Sequence, residues 1–306
     1  MVKEWYILII DGNVVNNAQS ITFEDSSGTK SDRLIINLPP NAVRPKSYAE
    51  IQLTFYNSLG DVLKCGSFYV QSVTRVNNKN LTITATAVKF SSEHKKKKSY
   101  HYQDTKLSSV VNMVAKRLKC KVKFTAQDTK IESLYQTQES DINFLYRLAE
   151  EYNALFSIKN NYVYFVSRSD DSLPVTIIDA TKASSINITH SAKTFYKSVE
   201  ANFYDAKKAK NEKVKVGSGE PTLQIKGAFK NRQDAQIKAK RKLEAVQTGT
   251  VNGYFTYKGL KIYAGTMLQL INTYNHEDDK KFYIKHCTHT FSRSKWFKMQ
   301  VMVILS

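Results

Sequence analysis

Glycine and proline are scarce: 11 and 5 of 306 residues, about 5% together, where ordinary usage is about 12%. That excludes collagen-like, linker-like and low-complexity chains. Cysteine is scarcer still. Cys65, Cys120 and Cys287 are odd in number, far apart and without C-x-x-C spacing. A disulfide framework is not expected, and folding in a reducing cytoplasm is. Long apolar runs are missing. Trp5 to Ile10 is too short for a leader core with a cleavage site, and nothing nears the roughly 18 residues of a membrane span. The expectation is a soluble protein with no secretory leader and no stable membrane insertion. Acidic residues are in deficit, with 27 Asp+Glu against 46 Lys+Arg, for a net charge of +19. What is present is enough to fold, because 42% apolar and 11% aromatic residues supply the burial that disordered chains lack.

Recognisable chemistry is also sparse. No G-x-S-x-G, H-E-x-x-H or Walker A sequence occurs. His286-Cys287-Thr288-His289 has metal-ligand residue types, but on a strand His286 faces away from Cys287 and His289. Two ligands on one face do not make a zinc site, so a structural strand is expected. Cys65 and Cys120 have no flanking histidine to activate a thiol. Gly217-Ser218-Gly219 lacks the Gly-Lys-Ser/Thr of a phosphate loop. Glu150-Glu151 would point about 100° apart on a helix, which does not frame a glycosidic bond. Neither an enzyme nor a cofactor is expected.

The positive charge is concentrated. Residues 89–98 carry +4, with Lys95, Lys96, Lys97 and Lys98 in a run, and residues 205–242 carry +8. These 48 residues hold +12 of the +19. The lysine run reads as a solvated, self-repelling connector. The second stretch reads as a long, mobile hairpin arm or loop from Asp205 to Gly219, followed by a basic helix.

Periodicity divides the chain in three. Residues 1–98 read as short strands. Trp5–Ile10 ends at the turn pair Asp11-Gly12, Leu34–Leu38 stops at Pro39-Pro40, and Ile51, Leu53 and Phe55 alternate with polar residues. Gly66–Val76 and Leu81–Val88 follow, as in a small barrel or sandwich. Within 99–168, Leu107, Val110, Val111, Val114, Ala115 and Leu118 have helical spacing, with Asp104 or Thr105 as N-cap. A second helix starts after Ser140, with Ile142, Leu145, Leu148, Ala149 and Tyr152 inward and Asp141 complementing the dipole. Leu155–Lys159 and Tyr162–Val166 flank an Asn-Asn hairpin turn. Across 169–306, strands resume near 175–178, 185–188 and 198–204. A helix then spans about 231–246, with Ala235, Ala239, Leu243 and Val246 inward and Gly249 past its end. Strands close the chain at 253–257, 267–272, 282–291 and 296–305. The fold class is β-rich α+β.

The segment Gln138-Glu-Ser-Asp-Ile-Asn-Phe-Leu-Tyr-Arg-Leu-Ala-Glu-Glu-Tyr152, followed by an apolar hairpin, resembles the hallmark of the phage late control protein D family. That family includes baseplate hub proteins and the N-terminal part of VgrG spikes. Collinear pieces agree, namely Gly66-Ser-Phe-Tyr-Val, Lys96–Tyr102 with Val110–Leu118, Ala235-x-x-x-Ala239-x-x-x-Leu243, Gly265-Thr-Met-Leu and Tyr283–His289. The resemblance spans roughly residues 60–305. It implies two antiparallel tail-tube-like β-barrels, 1–98 and 169–306, with an intervening small α+β module at 99–168 and strands exchanged between barrels. It also implies a homotrimeric, pseudo-hexameric hub that joins a hexameric tail tube to a trimeric spike in the baseplate of a contractile tail or of a tail-like particle assembled in the host cytoplasm. Because the chain ends after the second barrel, a separate central spike protein is expected, beside the tail tube protein and other baseplate proteins.

Within that reading Lys95, Lys96, Lys97, Lys98, Lys207, Lys208, Lys210, Lys238, Arg241 and Lys242 are candidate contacts to acidic neighbours or to DNA passing through the lumen. The alternatives are a basic nucleic-acid-binding module, whose binding would fall steeply with salt, and a hub with cell-wall hydrolase activity, for which no spare segment is apparent.

Overall fold

Alternation of apolar and polar residues builds most of the molecule, a computed structural model that describes residues 4–28, 30–58, 60–77, 79–87, 96–159, 161–167, 173–191, 196–205, 210–225, 229, 232–247, 251–259, 261–292 and 298–305. The first region contains β1 (Trp5–Ile10), β2 (Asn13–Val14), β3 (Ser20–Ser26), β4 (Arg33–Leu38), β5 (Glu50–Tyr56), β6 (Val62–Val76) and β7 (Asn80–Thr86). The Asp11-Gly12 turn forms as expected. Both residues have positive φ (52° and 82°), and Ile10 pairs with Asn13. Ile51, Leu53 and Phe55 turn inward onto a core with Leu8, Phe23, Leu34, Ile36 and Phe68. Each such side chain contributes about 1.5–3 kcal/mol by leaving water.

The middle region runs β8 (Lys98–Lys106), α1 (Leu107–Arg117), β9 (Lys121–Phe124), β10 (Lys130–Glu139), α2 (Asp141–Glu151), β11 (Ala154–Lys159) and β12 (Tyr162–Ser167). Both helices bury the stripes that their spacing predicts, with Phe144 as an additional core residue and Ile142 and Tyr152 only partly buried. Ser140 caps α2 by accepting from the Asn143 N–H at 3.3 Å. The cap of α1 differs from expectation. Asp104 and Thr105 belong to β8, and Asp128, arriving from the β9–β10 connection, accepts from the Ser108 N–H at 3.0 Å and the Ser108 hydroxyl at 2.8 Å.

The last region has β13 (Val175–Asp179), β14 (Ser185–His190), β15 (Ser198–Asp205), β16 (Lys210–Gly217), β17 (Thr222–Ile225), α3 (Arg232–Gln247), β18 (Val251–Lys258), β19 (Met267–Ile271), β20 (Lys281–Ser292) and β21 (Lys298–Leu305). The described residues of the basic stretch form a hairpin pair that is packed in a sheet rather than a mobile arm, and residues 206–209 lie outside the described residues. β15 and β16 form an antiparallel pair, β17 joins parallel to β15, and α3 covers the sheet. Val199, Ala201, Phe203 and Val214 meet Ala235, Ala239 and Leu243 in a separate core. The alternation that makes β15 a strand thus also supplies the surface that α3 needs. Gly249 lies outside the described residues.

Two runs of six strands share one order. The first reads β1-β5-β6-β7-β4-β3 and the second β13-β19-β20-β21-β18-β14. With the two-residue β2, which pairs only with β1, left out and each run numbered from its own start, both are 1-4-5-6-3-2. The match extends to irregularities. β6 carries one extra residue against β7 at Gln71, and β20 carries one against β21 at Lys285. Superposing these bulges places Phe68-Tyr69-Val70 on Phe282-Tyr283-Ile284. The β4–β7 and β18–β21 ladders then place Ser20-Ile21-Thr22-Phe23 on Ser185-Ile186-Asn187-Ile188. One pairing differs, because β1 is antiparallel to β5 whereas β13 is parallel to β19. The runs are joined into one 13-stranded sheet where β3 pairs antiparallel with β20. Among the described residues no pairing closes either run on itself. Each run has its own core, the second built from Phe255, Leu268, Leu270, Phe282, Ile284 and Val303.

Candidate assembly interface

The middle module is held from inside by a charge. Asp141 sits in the first turn of α2, as expected, and is buried there. It is 2% exposed, and it accepts from Arg117 Nη2 at 2.6 Å, Lys98 Nζ at 2.7 Å and Gln136 Nε2 at 3.0 Å. Burial by itself would raise this carboxyl, but the bonds from Arg117, Lys98 and Gln136 outweigh it and hold the group below its ordinary range. Arg117 also reaches the Tyr102 hydroxyl at 3.0 Å and lies over the Tyr100 ring at 4.3 Å. The hallmark Ser-Asp pair therefore caps a helix with one residue and anchors β8, α1 and β10 with the other.

A second buried charge cluster fixes the middle module to both strand runs. Lys159, at the end of β11, forms an ion pair with Asp25 of β3, lies 3.8 Å from Asp32 and donates to the Ala264 carbonyl at 3.2 Å. Asp25 accepts from the Ala264 N–H at 2.7 Å, and Asp32 from the Ser26 N–H at 3.0 Å. Asp25 and Asp32 are 0% and 5% exposed. Burial, with a contribution from the neighbouring Asp25, pushes Asp32 up to about 7 against the pull of Lys159. Lys159 is raised, because its two carboxylates outweigh the burial that opposes its charge.

Between α2, β11 and the β3–β4 turn lies a cleft of about 620 Å³ lined in part by Ser26, Lys30, Glu150, Tyr283, Lys285 and His286. His286 is held by the Ser26 hydroxyl at 2.8 Å and the Thr288 hydroxyl at 3.0 Å, and burial lowers its pKa. Cys287 and His289 face the core together, sulfur to Nε2 at 3.1 Å, with His289 Nε2 also 3.2 Å from the Ile262 carbonyl. Burial pushes His289 down to about 4, and it is neutral at physiological pH. Among the described residues no group of three His, Cys, Asp or Glu is placed to hold a metal ion.

The basic candidates separate by environment. Lys95, Lys207 and Lys208 lie outside the described residues. Lys96 and Lys97 are exposed just ahead of β8, whereas Lys98 is engaged with Asp141. Lys210 is 4.0 Å from Glu212. Lys238 pairs with Asp234 at 3.1 Å and lies over Phe229. Arg241 turns toward the middle module, over the Tyr152 ring at 4.7 Å and 3.5 Å from the Thr129 hydroxyl. Lys242 is exposed. The structure does not gather these residues into one site. Lys98 and Arg241 hold the chain to itself, and Lys97, Lys238 and Lys242 face outward. Asp25, Asp32, Lys159 and Arg117 carry no local sequence signal, because their partners lie far away along the chain.

A family model of the phage tail baseplate hub (GPD) matches residues 80–295. A probable baseplate hub protein of Escherichia phage P2 is 28% identical over 172 residues, 53% of this chain and 44% of that protein. The matched stretch thus spans less than half of that relative's length. Among solved structures, a tail protein from Neisseria meningitidis MC58 superposes with a TM-score of 0.76 at 10% identity, covering 99% of this chain and 97% of that one. The 43 kDa tail protein of prophage MuSo2 from Shewanella oneidensis gives 0.72 at 12%, covering 98% and 96%. The E. coli c3393 protein, a type VI secretion component with structural similarity to the T4 tail proteins gp27 and gp5, gives 0.64 at 12%, covering 98% and 76%. At such identities these structures show a shared fold.

Proposed function

The chain belongs to the phage tail baseplate hub family, and on that membership we propose that three copies form a pseudo-hexameric ring joining a hexameric tail tube to a trimeric central spike. The family is a structural one, and the chain's place is the baseplate hub of a phage tail or tail-like particle. One observation carries the ring reading. Two six-strand runs of the same order and the same bulge position lie in one chain. Three copies then present six alike units to a six-fold tube while keeping three-fold symmetry toward a spike. Closed symmetric interfaces perform this matching without chemistry.

The tube protein, a separate spike protein and other baseplate proteins are the partners this reading requires, with DNA passing through the lumen. The domain limits 1–98, 99–168 and 169–306 are kept as part of the proposal, with α3 and its sheet as an inserted unit of the last. A nucleic-acid-binding role is less favoured. Lys213 lies 3.0 Å from Glu200 and Lys215 3.4 Å from Glu220, so part of the +8 stretch is already paired. The test is co-expression with the other tail proteins. Wild-type chain should enter assembled tails, and its absence from them sinks the hub reading. Lys97→Glu with Lys242→Glu should lower incorporation several-fold without moving the melting temperature, because neither side chain holds the fold. Unchanged incorporation refutes a docking role for these lysines.

A further inference from the structure

The cleft between α2, β11 and the β3–β4 turn has no part in the ring reading, and one of its borders is a strand edge. β11 pairs with β12 on one side and ends the sheet β11-β12-β9. Ala154, Leu155 and Phe156 of this strand line the cleft. The Gly28 N–H, from the β3–β4 turn, donates to the Phe156 carbonyl at 2.8 Å, so Phe156 turns its backbone groups away from β12 and toward the cleft. Residues two apart in a strand turn their backbone groups the same way. The Ala154 N–H and carbonyl and the Phe156 N–H therefore face the cleft as well. Among the described residues no backbone bond reaches these three groups from that side.

The two walls beside this edge differ in character. α2 contributes Tyr146, Ala149 and Glu150, whereas the β3–β4 turn and β20 contribute Lys30, Lys285 and His286. Lys30 and Lys285 are exposed, and among the described residues neither has an ion-pair partner. Lys30 stands close enough to His286 to oppose a charge there. We propose that the cleft binds a short extended segment of a partner protein, added as a strand to the outer edge of β11, with apolar side chains toward α2 and a carboxylate toward Lys30 and Lys285.

The parts fit this occupant. An added strand takes its affinity from main-chain bonds to the edge and its specificity from the side chains on either face. Successive residues of a strand point to opposite faces, so acidic and apolar residues must alternate in the segment. Glu150 repels an acid on the α2 side, and the two lysines repel a base on the other. The volume of about 620 Å³ lies within the roughly 300–1,000 Å³ of ligand sites. A nucleotide would use the lysines but leave the backbone groups of Ala154 and Phe156 unpaired, which favours a peptide. The proposal is independent of the ring reading, because binding is measured on the chain alone and assembly on tails.

The test pans a bead-bound library of capped hexapeptides against the full chain, with Lys30→Glu plus Lys285→Glu as the counter-screen. Both side chains are exposed, so the double variant should melt with the wild type. The expected result is enrichment of sequences in which acidic and apolar residues alternate. Fluorescence anisotropy should show the best of these bound at least tenfold more weakly by the double variant, as loss of charge-assisted bonds dictates. Single N-methylation along that peptide should weaken binding about tenfold at every second amide, those facing β11, and little at the amides between. Overturning results are a library from which nothing retained by the wild type is lost on the double variant, and N-methylation effects without alternation. Displacement of the peptide by AMP at equal concentration would assign the cleft to a nucleotide and overturn the strand addition.

Discussion

Replacing Lys159 by methionine tests how the three regions are held together. The substitution keeps the aliphatic stem and removes the cation between Asp25 and Asp32, which are 0% and 5% exposed. Two carboxyls then share a buried site with no counter-charge. Removing one partner of a buried ion pair costs about 3–5 kcal/mol, because the remaining charge keeps its desolvation penalty. The pH dependence follows from Asp32. Its folded pKa is raised to about 7 from an ordinary 3.8, so the stability linked to its proton is full below 3.8 and is lost as pH rises through about 7. Without Lys159, Asp32 resists ionisation further, so the variant should lose more at pH 8 than at pH 5. Urea unfolding followed by far-UV circular dichroism at both pH values reads this. Adding Asp25→Asn should recover at least half of the loss at pH 5, since Asp32 is then the only acid of the pair and is protonated there. A loss below about 1 kcal/mol at both pH values refutes the reasoning, since that is what an exposed pair would show. So does a double variant weaker than the single one.

Two further substitutions probe other joints. Asp141→Asn should destabilise the middle module by about 2–4 kcal/mol, because Arg117 and Lys98 lose their shared carboxylate. Asp141 is held below its ordinary pKa, so its contribution is full above about 3.8 and lost as pH falls further. The gap between wild type and variant in thermal melts should stay constant from pH 5 to 8 and close below pH 3.8. A gap that widens in acid contradicts this. Gly217→Ala should cost about 2 kcal/mol or more. Gly217 has φ +84°, and a Cβ there would strike the Lys197 carbonyl and lie 2.8 Å from Leu243 Cδ2. Limited proteolysis within 198–247 should accelerate, and an unchanged cleavage rate dismisses the steric argument.

Local pattern carried the elements whose stability is local. Ile51, Leu53 and Phe55 declare a strand with one wet face, and Val110, Val111 and Val114 declare a helix, because burial of one face is written in spacing. Strands that keep a charge or polar groups at buried positions were not legible. β3 carries Asp25 on its inner face, so its alternation breaks, and the residue that makes this tolerable, Lys159, lies 134 positions away. β8 reads as part of a charged connector until Lys98 and Tyr102 find Asp141 and Arg117. Even the repeat shared by Ser20–Phe23 and Ser185–Ile188 is too short to stand out before the ladders align it.

The sequence by itself determined the β-rich class, the two amphipathic helices of the middle module, the inward face of α3 and the family. All of these rest on periodicity or on contiguous residues. Tertiary structure decided which lysines are spoken for and which face outward. It also decided how the +8 stretch becomes a sheet with a core, and which strand edges remain unmatched. Those outcomes depend on partners distant along the chain, where desolvation makes one placed counter-charge or one hydrogen-bonded edge worth more than any local preference.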